Sequence, residues 1–526
     1  MMNETQDSTY MNKTAFFLAV FGLIGAVSLR AQELIPYRKG DQWGFCTPDK
    51  KVVIQPKYDG AGPFHEGLAP VNFNGKWGFI DQTGREVVPP KYEAVGSFRK
   101  GLAAVMLKGK LGFIDRTGRE VVPPKYDYIS DFTEDRAAVG VGRWEGSEFI
   151  GKWGFIDKAG RKVVPLKYDY ARPFIEGLAA VGIGKWEGLD FIGKWGFIDK
   201  AGHEVVPLKY DYVSDFSEGL ALVCLNWKYG LIDQTGREVV PPKYDEIKPF
   251  HEGLAEVLLN EKWGFIDKAG REVAPAKYDY ALSFHEGLAQ VEINGKWGFI
   301  DQTGREVVPP KYDWAGQFHE GLAWVKLDGK YGFIDQTGRE VVPPKYDRAG
   351  EFHQGLARVE LNKKWGFIDQ TGREVIPPKY DNVQDFSEGL AAVGIGKWEE
   401  RKFIGRWGFI DQTGREVVPL RYDWVEPFRK GLAWVMLNGR VGIIDQTGRE
   451  VVPPKYDNVW YFDEGLARVK VNEKWGFIDQ TGREVIPPKY DELEPLSEGL
   501  AAVKLNEKWF YIKVFPDGKV VEYYDE

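Results

Sequence analysis

A glycine recurs in one fixed setting at Gly44, Gly78, Gly112, Gly154, Gly196, Gly230, Gly264, Gly298, Gly332, Gly366, Gly408, Gly442 and Gly476. Successive copies are 34 residues apart, except for three steps of 42. A unit shorter than about 40 residues rarely buries enough apolar surface to fold alone. Each copy must therefore bury its side chains against its neighbours, which makes the chain a quasi-one-dimensional repeat array. Thirteen clear copies and a degenerate one beginning at Trp509 fill nearly everything after Gln32, leaving no room for a second domain.

The copy at Lys76–Lys110 shows the local design. "KWGFID" alternates with period two and reads as a strand. "DQTG" follows, with Asp81 first and Gly84 fourth, the signature of a tight hairpin turn with a left-handed last residue. "REVV" is the second strand, and Pro89 and Pro90 are expected to end it because neither can donate to a ladder. An extended connection leads through Gly101 to a third strand, "LAAVML". No helical period occurs in the unit, so the prediction is all-β: about fourteen three-stranded units in an elongated or superhelical stack. A closed propeller-like or barrel-like arrangement is the alternative. It is less favoured because propellers usually have about 4–8 four-stranded blades. "ELIPYRKGDQ" is expected to supply a cap strand over residues 32–42, the array to run over 43–508, and residues 509–526 to form a worn capping unit.

Comparing copies separates strict from loose positions. The Trp of the opening pair is replaced by Leu111, Tyr229, Tyr331 and Val441, whereas the Gly after it stands in all thirteen clear copies. A strand glycine of this kind marks a close approach of another backbone or ring. The recurring Trp-Gly-Phe-Ile-Asp, Val-Val-Pro-Pro-Lys-Tyr-Asp and Glu-Gly-Leu-Ala segments resemble the WG-repeat family over almost the whole array. The resemblance implies a β-rich repeat module, often bacterial and exported, with no shared enzymatic activity and no catalytic residues to carry over.

Ala15–Leu29 is an apolar run with Lys13 before it and "RAQ" after it. That layout predicts a signal peptide over 1–31, with Met11 as the better start, and hence export to the periplasm or cell surface. No membrane span is expected in the mature chain. Cys46 and Cys224 are the only cysteines and lie too far apart in sequence to suggest a disulfide. Lys and Arg are interspersed with Asp and Glu at a net charge of −8, so nucleic acid is not an expected partner.

Chemistry is hard to find. The repeated Asp after Phe-Ile reads as a cap of its own turn, and no acid–base pair has a fixed short spacing. No metal or cofactor site is expected. His65, His251, His285, His319 and His353 share one column, read as a polar rim with units too far apart for shared coordination. Variation among uniform units points to binding instead. The residue after Tyr-Asp and the residue after Leu-Ala match in Trp314 with Trp324, Trp424 with Trp434, and Arg348 with Arg358. These are candidate partner-binding residues, with packing between units as the alternative. The three long steps carry Trp144, Trp186 and Trp398, each near a Phe, on a lengthened hairpin. A cross-strand pair that holds its own hairpin is the alternative there. The expected function is a monomeric, exported, non-enzymatic scaffold that binds protein or peptide. Carbohydrate or peptidoglycan binding through Trp and Tyr columns is the second expectation.

Overall fold

The computed structural model describes residues 33–146, 148–188, 190–400, 402–497, 499–515 and 518–525. The segment read as a signal peptide lies outside them. Among the described residues the chain forms fourteen four-stranded sheets, here called blades, arranged in a ring; all pairings are antiparallel except that of the C-terminal strand in the first blade, which is parallel. Blade 2 is typical, with strands Gly60–Ala61, Leu68–Phe73, Lys76–Asp81 and Glu86–Tyr92. The first of these is the strand the sequence did not reveal. Two residues after Tyr-Asp pair with the next strand (Gly60 opposite Asn72, Ala61 opposite Val71), so each unit has four strands and not three.

Turns follow from the residues that occupy them. Asn74 and Gly75 both have positive φ (50° and 73°) and join the second and third strands in a two-residue turn. That backbone matches the twist of the strands it joins. Glu66 and Gly67 do the same between the first and second strands. In the turn after the third strand, Asp81 Oδ1 accepts from the Thr83 amide at 2.9 Å, the Thr83 hydroxyl at 2.6 Å and the Arg85 amide at 3.1 Å. The expected self-capping role of this Asp is what the geometry shows.

The prolines do not end their strand, contrary to the sequence expectation. Glu86–Tyr92 runs through Pro89 and Pro90, and the register slips there. Trp77 faces Tyr92 but Phe79 faces Val88, so the proline strand carries extra residues in a bulge. Missing amide donors cost nothing at a bulge. The bulge presses its backbone onto the motif glycine. A Cβ on Gly78 would lie 2.3 Å from the Val88 carbonyl oxygen, and one on Gly298 would lie 2.3 Å from that of Val308. The glycine and the Pro-Pro pair are thus two halves of one contact.

Blades bury their apolar faces against each other. Leu68, Phe79, Val88 and Tyr92 of blade 2 pack on Val95, Phe98, Ala103, Val105 and Ile114 of blade 3. The Tyr of each Lys-Tyr-Asp is almost wholly buried. In many of the blades its hydroxyl reaches a Glu of the next blade, as Tyr312 does to Glu340 at 3.1 Å and Tyr346 to Glu374 at 3.0 Å, whereas the hydroxyls of Tyr58, Tyr168 and Tyr278 are buried without a hydrogen-bond partner. Glu286 Oε1 and Oε2 accept the amides of Glu320 and Gly321 in the following blade, at 2.8 and 2.9 Å.

The ring closes by strand exchange between the termini. Blade 1 holds Ile35–Lys39, Gln42–Cys46 and Val52–Tyr58, and its missing strand is Tyr524–Asp525. Arg38 and Gly40 donate to the Tyr523 and Asp525 carbonyls at 2.9 and 2.8 Å. Tyr37 donates to the Asp525 carboxylate at 2.5 Å. Ile35, Tyr37, Cys46 and Tyr523 form a shared core with Leu500, Tyr511 and Val521. An elongated or superhelical stack is therefore replaced by its alternative, the closed propeller-like ring, and the worn last unit is the clasp. Cys46 and Cys224 are buried free thiols, and burial pushes Cys46 up to about 12.

Three outcomes follow. Gly298→Ala forces a methyl onto a carbonyl and should destabilise by about 1–3 kcal/mol, lowering the thermal midpoint more than Trp297→Tyr does. Removing Tyr524 and Asp525 should lower the midpoint and speed hydrogen exchange first in blades 1 and 14. Asp81, Asp301, Asp335 and Asp411 are held down to about 2, first by the Thr hydroxyl two residues on. Their folded values lie below the unfolded ones. Their contribution is therefore complete above the ordinary Asp range and is lost as pH falls towards about 2. An acid titration followed by circular dichroism should show that decline, and it should be weaker after Thr→Val changes in these turns.

Candidate functional site

Each blade sends its second-to-third hairpin and its Tyr-Asp corner to the same rim of the ring. Asn74 of the hairpin turn donates its amide to Asp59 of the corner at 2.6 Å. On this rim one row of side chains crosses each blade. In blade 8 (Tyr280–Tyr312) the row is Tyr280, Glu292, Trp297 and Tyr312, paired in register across the four strands. The motif Trp reaches both its own corner residue and that of the next blade. Trp297 lies 5.8 Å from Tyr280 and 5.0 Å from Trp314 between ring centres. Trp153 lies 4.5 Å from Tyr128 and 5.6 Å from Tyr170.

Aromatic residues line the rim in this way from blade 4 (Tyr128–Tyr168) to blade 9 (Trp314–Tyr346), a lane interrupted at the corner of blade 7 (Glu246–Tyr278) by Glu246. The motif tryptophans form its floor, with Trp153, Trp195, Trp263 and Trp297 each under a tenth exposed. Corner residues form its surface, with Tyr212 and Tyr280 both 43% and Trp314 51% exposed. Cations are clipped between successive rings at two steps. The Arg172 guanidinium lies 4.8 Å from Trp195 and 5.9 Å from Tyr212, and Lys248 Nζ lies 4.3 Å from Trp263 and 5.8 Å from Tyr280. In blade 6 (Tyr212–Tyr244) the motif position is held by Tyr229, paired in register with Cys224 and Tyr244. Burial is the main cause that raises the Tyr229 hydroxyl pKa, and the Cys224, Tyr212 and Glu246 charges add to it.

Blades 4, 5 (Tyr170–Tyr210) and 11 (Asn382–Tyr422) extend the hairpin into arms, with ten-residue strands such as Leu178–Glu187 and Asp190–Asp199. Trp144 faces Phe149, Trp186 faces Phe191 and Trp398 faces Phe403 in register, with ring centres 5.5–5.6 Å apart. A directly opposed glycine pair lies below each aromatic pair, for example Gly184 opposite Gly193. Phe191 lies back over this bare backbone to reach Trp195 at 5.0 Å, and a Cβ on Gly182 would meet it at 2.8 Å. The aromatic pair therefore does fasten its own hairpin, but Trp144 and Trp398 remain 53% and 57% exposed. The opposite side of the arms exposes Val141, Ile183, Ile192, Ile395 and Ile404. Two ion pairs close within the arms of blades 4 and 5, Arg143 with Glu145 at 2.5 Å and Lys185 with Glu187 at 2.6 Å.

The structure sorts the candidate residues into two groups. Trp314, Trp424 and Arg348 are exposed at the corners, and Trp144 and Trp398 are exposed on the arms. Trp186 is half-buried. The residues after Leu-Ala lie between blades instead. Trp434 is buried and donates its indole N–H to the Val459 carbonyl of the next blade at 2.9 Å. Arg358 reaches the Val383 carbonyl at 3.4 Å and pairs with Asp385 at 3.1 Å. Trp324 packs over Gly316 and against Tyr331. The two columns therefore match for separate reasons: one meets solvent and the other spans a blade interface.

Sequence reasoning missed Trp227, the second residue of a hairpin turn in blade 6 (Tyr212–Tyr244). It is 88% exposed with φ of 62°, a conformation that disfavours a bulky side chain. The available signal was its place, where most copies have Gly, Glu or Lys. The histidine column also differs from expectation. His285 and His319 have ring centres 4.7 Å apart, and His319 and His353 6.0 Å, so neighbouring units do touch there. Among the described residues no group of three or more His, Cys, Asp or Glu is placed to hold a metal ion.

Glu256 occupies the interface column at 1% exposure, and both its carboxylate oxygens lack a hydrogen-bond partner. One blade on, Gln290 donates its amide to the Ala315 carbonyl at 3.0 Å. Glu256→Gln supplies the same donor and should stabilise the ring by about 1–3 kcal/mol, read as a raised thermal midpoint.

Three solved structures show how far likeness to known folds extends. A eukaryotic initiation factor matches at 11% identity and TM-score 0.25, over 67% of this chain and 95% of its own. Kluyveromyces lactis Hsv2 matches at 12% and 0.22, over 50% and 94%. Virginiamycin B lyase from Staphylococcus aureus matches at 13% and 0.21, over 49% and 90%. At such values none of them bears on what this chain does. A search of curated proteins finds no match. The model of the WG containing repeat, in contrast, matches thirteen times between residues 43 and 509, from 43–77 to 475–509. With the motif found on the hairpin and bulge of blade after blade, this chain belongs to the WG containing repeat family.

Proposed function

We propose that this protein is an exported, non-enzymatic scaffold of the bacterial envelope that binds a protein partner through the arms of blades 4, 5 and 11. The carrying observation is exposed apolar surface on both sides of these arms, Trp144 and Trp398 on one side and Ile183, Ile192, Ile395 and Ile404 on the other. Large exposed apolar groups on a rigid element favour burial against another protein. Arg143, Lys185 and Lys397 are neutralised on the arms themselves by Glu145, Glu187 and Glu399, so these charges do not oppose burial against a partner. Blade 11 is seven places from blade 4 in a ring of fourteen, so the arms stand on opposite sides of one rim. That spacing suits a partner large enough to bridge the ring, or two partners held apart. The non-enzymatic reading rests on the sequence, which defines no acid–base pair at short spacing.

Shortening the three arms to Asn-Gly turns, as in the 34-residue units, should leave the ring folded, because those units form the same four-stranded blade without the core contacts that Phe149, Phe191 and Phe403 add. Cross-linking and recovery from an envelope fraction should yield a fixed protein partner with the native ring and lose it with the shortened one. Recovery that is equal for both would remove the arms from consideration.

A further inference from the structure

We infer that the aromatic lane over blades 6 to 9 is a binding track for a linear, uncharged polysaccharide, a ligand and a surface separate from the arms. The rings that reach solvent at its corners are Tyr and Trp only: Tyr212, Tyr280 and Trp314. No Phe, Leu or Ile stands among them. Tyr and Trp combine an apolar face with a polar edge. A pyranose ring has the same division, with C–H groups on its faces and hydroxyls around its rim.

The rings are also held in place before any ligand arrives. Trp297 supports Tyr280 and Trp314 from one position, while Lys248 lies against Trp263 and Tyr280. Platforms that are already ordered lose little entropy on binding. The corner aspartates beside these rings are satisfied within the protein. Asp279 is bound by Lys262, Asp313 by Lys296 at 2.6 Å, and Asp347 by Lys330 at 2.6 Å. Asp279 and Asp347 also accept the turn amides of Asn294 and Asn362, at 2.6 and 2.7 Å. Exposed Glu246, and Glu292 directly across from Tyr280, add carboxylates that accept hydroxyls and repel an acidic polymer. Sheets packed face to face are about 10 Å apart, a step that spans roughly two pyranose rings of an extended chain. A linear chain laid along the rim would therefore meet about one corner residue for every two sugars.

The test uses the full chain in native gels containing neutral polymers (hydroxyethylcellulose, xyloglucan, laminarin or dextran) and, in parallel, carboxymethylcellulose and polygalacturonate. At least one neutral polymer should retard the protein, and the charged ones should not. Tyr280→Ala with Trp314→Ala should weaken that binding about tenfold at an unchanged thermal midpoint, and Trp398→Ala should leave it intact. If the double variant melts early, Tyr212→Ala alone carries the same comparison. Failure of every neutral polymer to bind would overturn the inference. So would retardation by the charged polymers alone, or equal binding by the double variant. Loss of protein capture in the double variant, without any glycan binding, would assign the lane to a protein partner instead.

Discussion

The contact between a glycine and a carbonyl ten residues further along the chain sets the form of every blade. With no side chain at Gly298, the Val308 carbonyl can close on its Cα, and the Pro-Pro that follows can bulge without leaving an amide donor unpaired. The bulge shifts the fourth strand so that the motif Trp faces the buried Tyr of Lys-Tyr-Asp. The shift also brings the chain to the corner where the next blade begins, one Asp later. Without the glycine the two strands would separate and that corner would move.

The corner in turn makes the blades interdependent. Each blade offers three strands to three strands of the next, and a Tyr hydroxyl and a Glu carboxylate reach across the boundary. Stability is therefore shared between neighbours, as in other repeat proteins. Here the array returns to its start, so no terminal apolar face is left over. The clasp of Tyr524–Asp525 on Arg38–Lys39 is small, and it works because the shared core of blades 1 and 14 lies beneath it.

Uniform units leave function to the few positions that vary. Where the corner residue is Tyr or Trp, the motif tryptophans become the floor of a lane. Where the hairpin gains eight residues, an aromatic pair and a glycine pair build an arm. Both devices use side chains that also hold the blade together, so the same residue type can be structural in one copy and accessible in the next. Trp434 is buried with its indole bonded across an interface, while Trp424, ten residues earlier, is 41% exposed.

Short-range features were legible in the sequence. Asp81 and Gly84 marked their turn, the alternation in "KWGFID" marked a strand, and the invariance of the glycine against the exchange of its Trp marked a close backbone approach. These depend on a few consecutive residues and on the limited set of conformations each can adopt. The two-residue first strand was not legible, because Tyr280–Ala281 becomes a strand only when the following hairpin lies beside it. Nor was the continuation of the fourth strand through Pro-Pro, since a bulge is defined by its partner. The face on which Trp314 or Trp324 falls was decided by strand register, and ring closure and the contact of His285 with His319 by the angle between packed sheets. That angle is a property of whole interfaces, summed over many side chains, and no single unit of 34 residues encodes it alone.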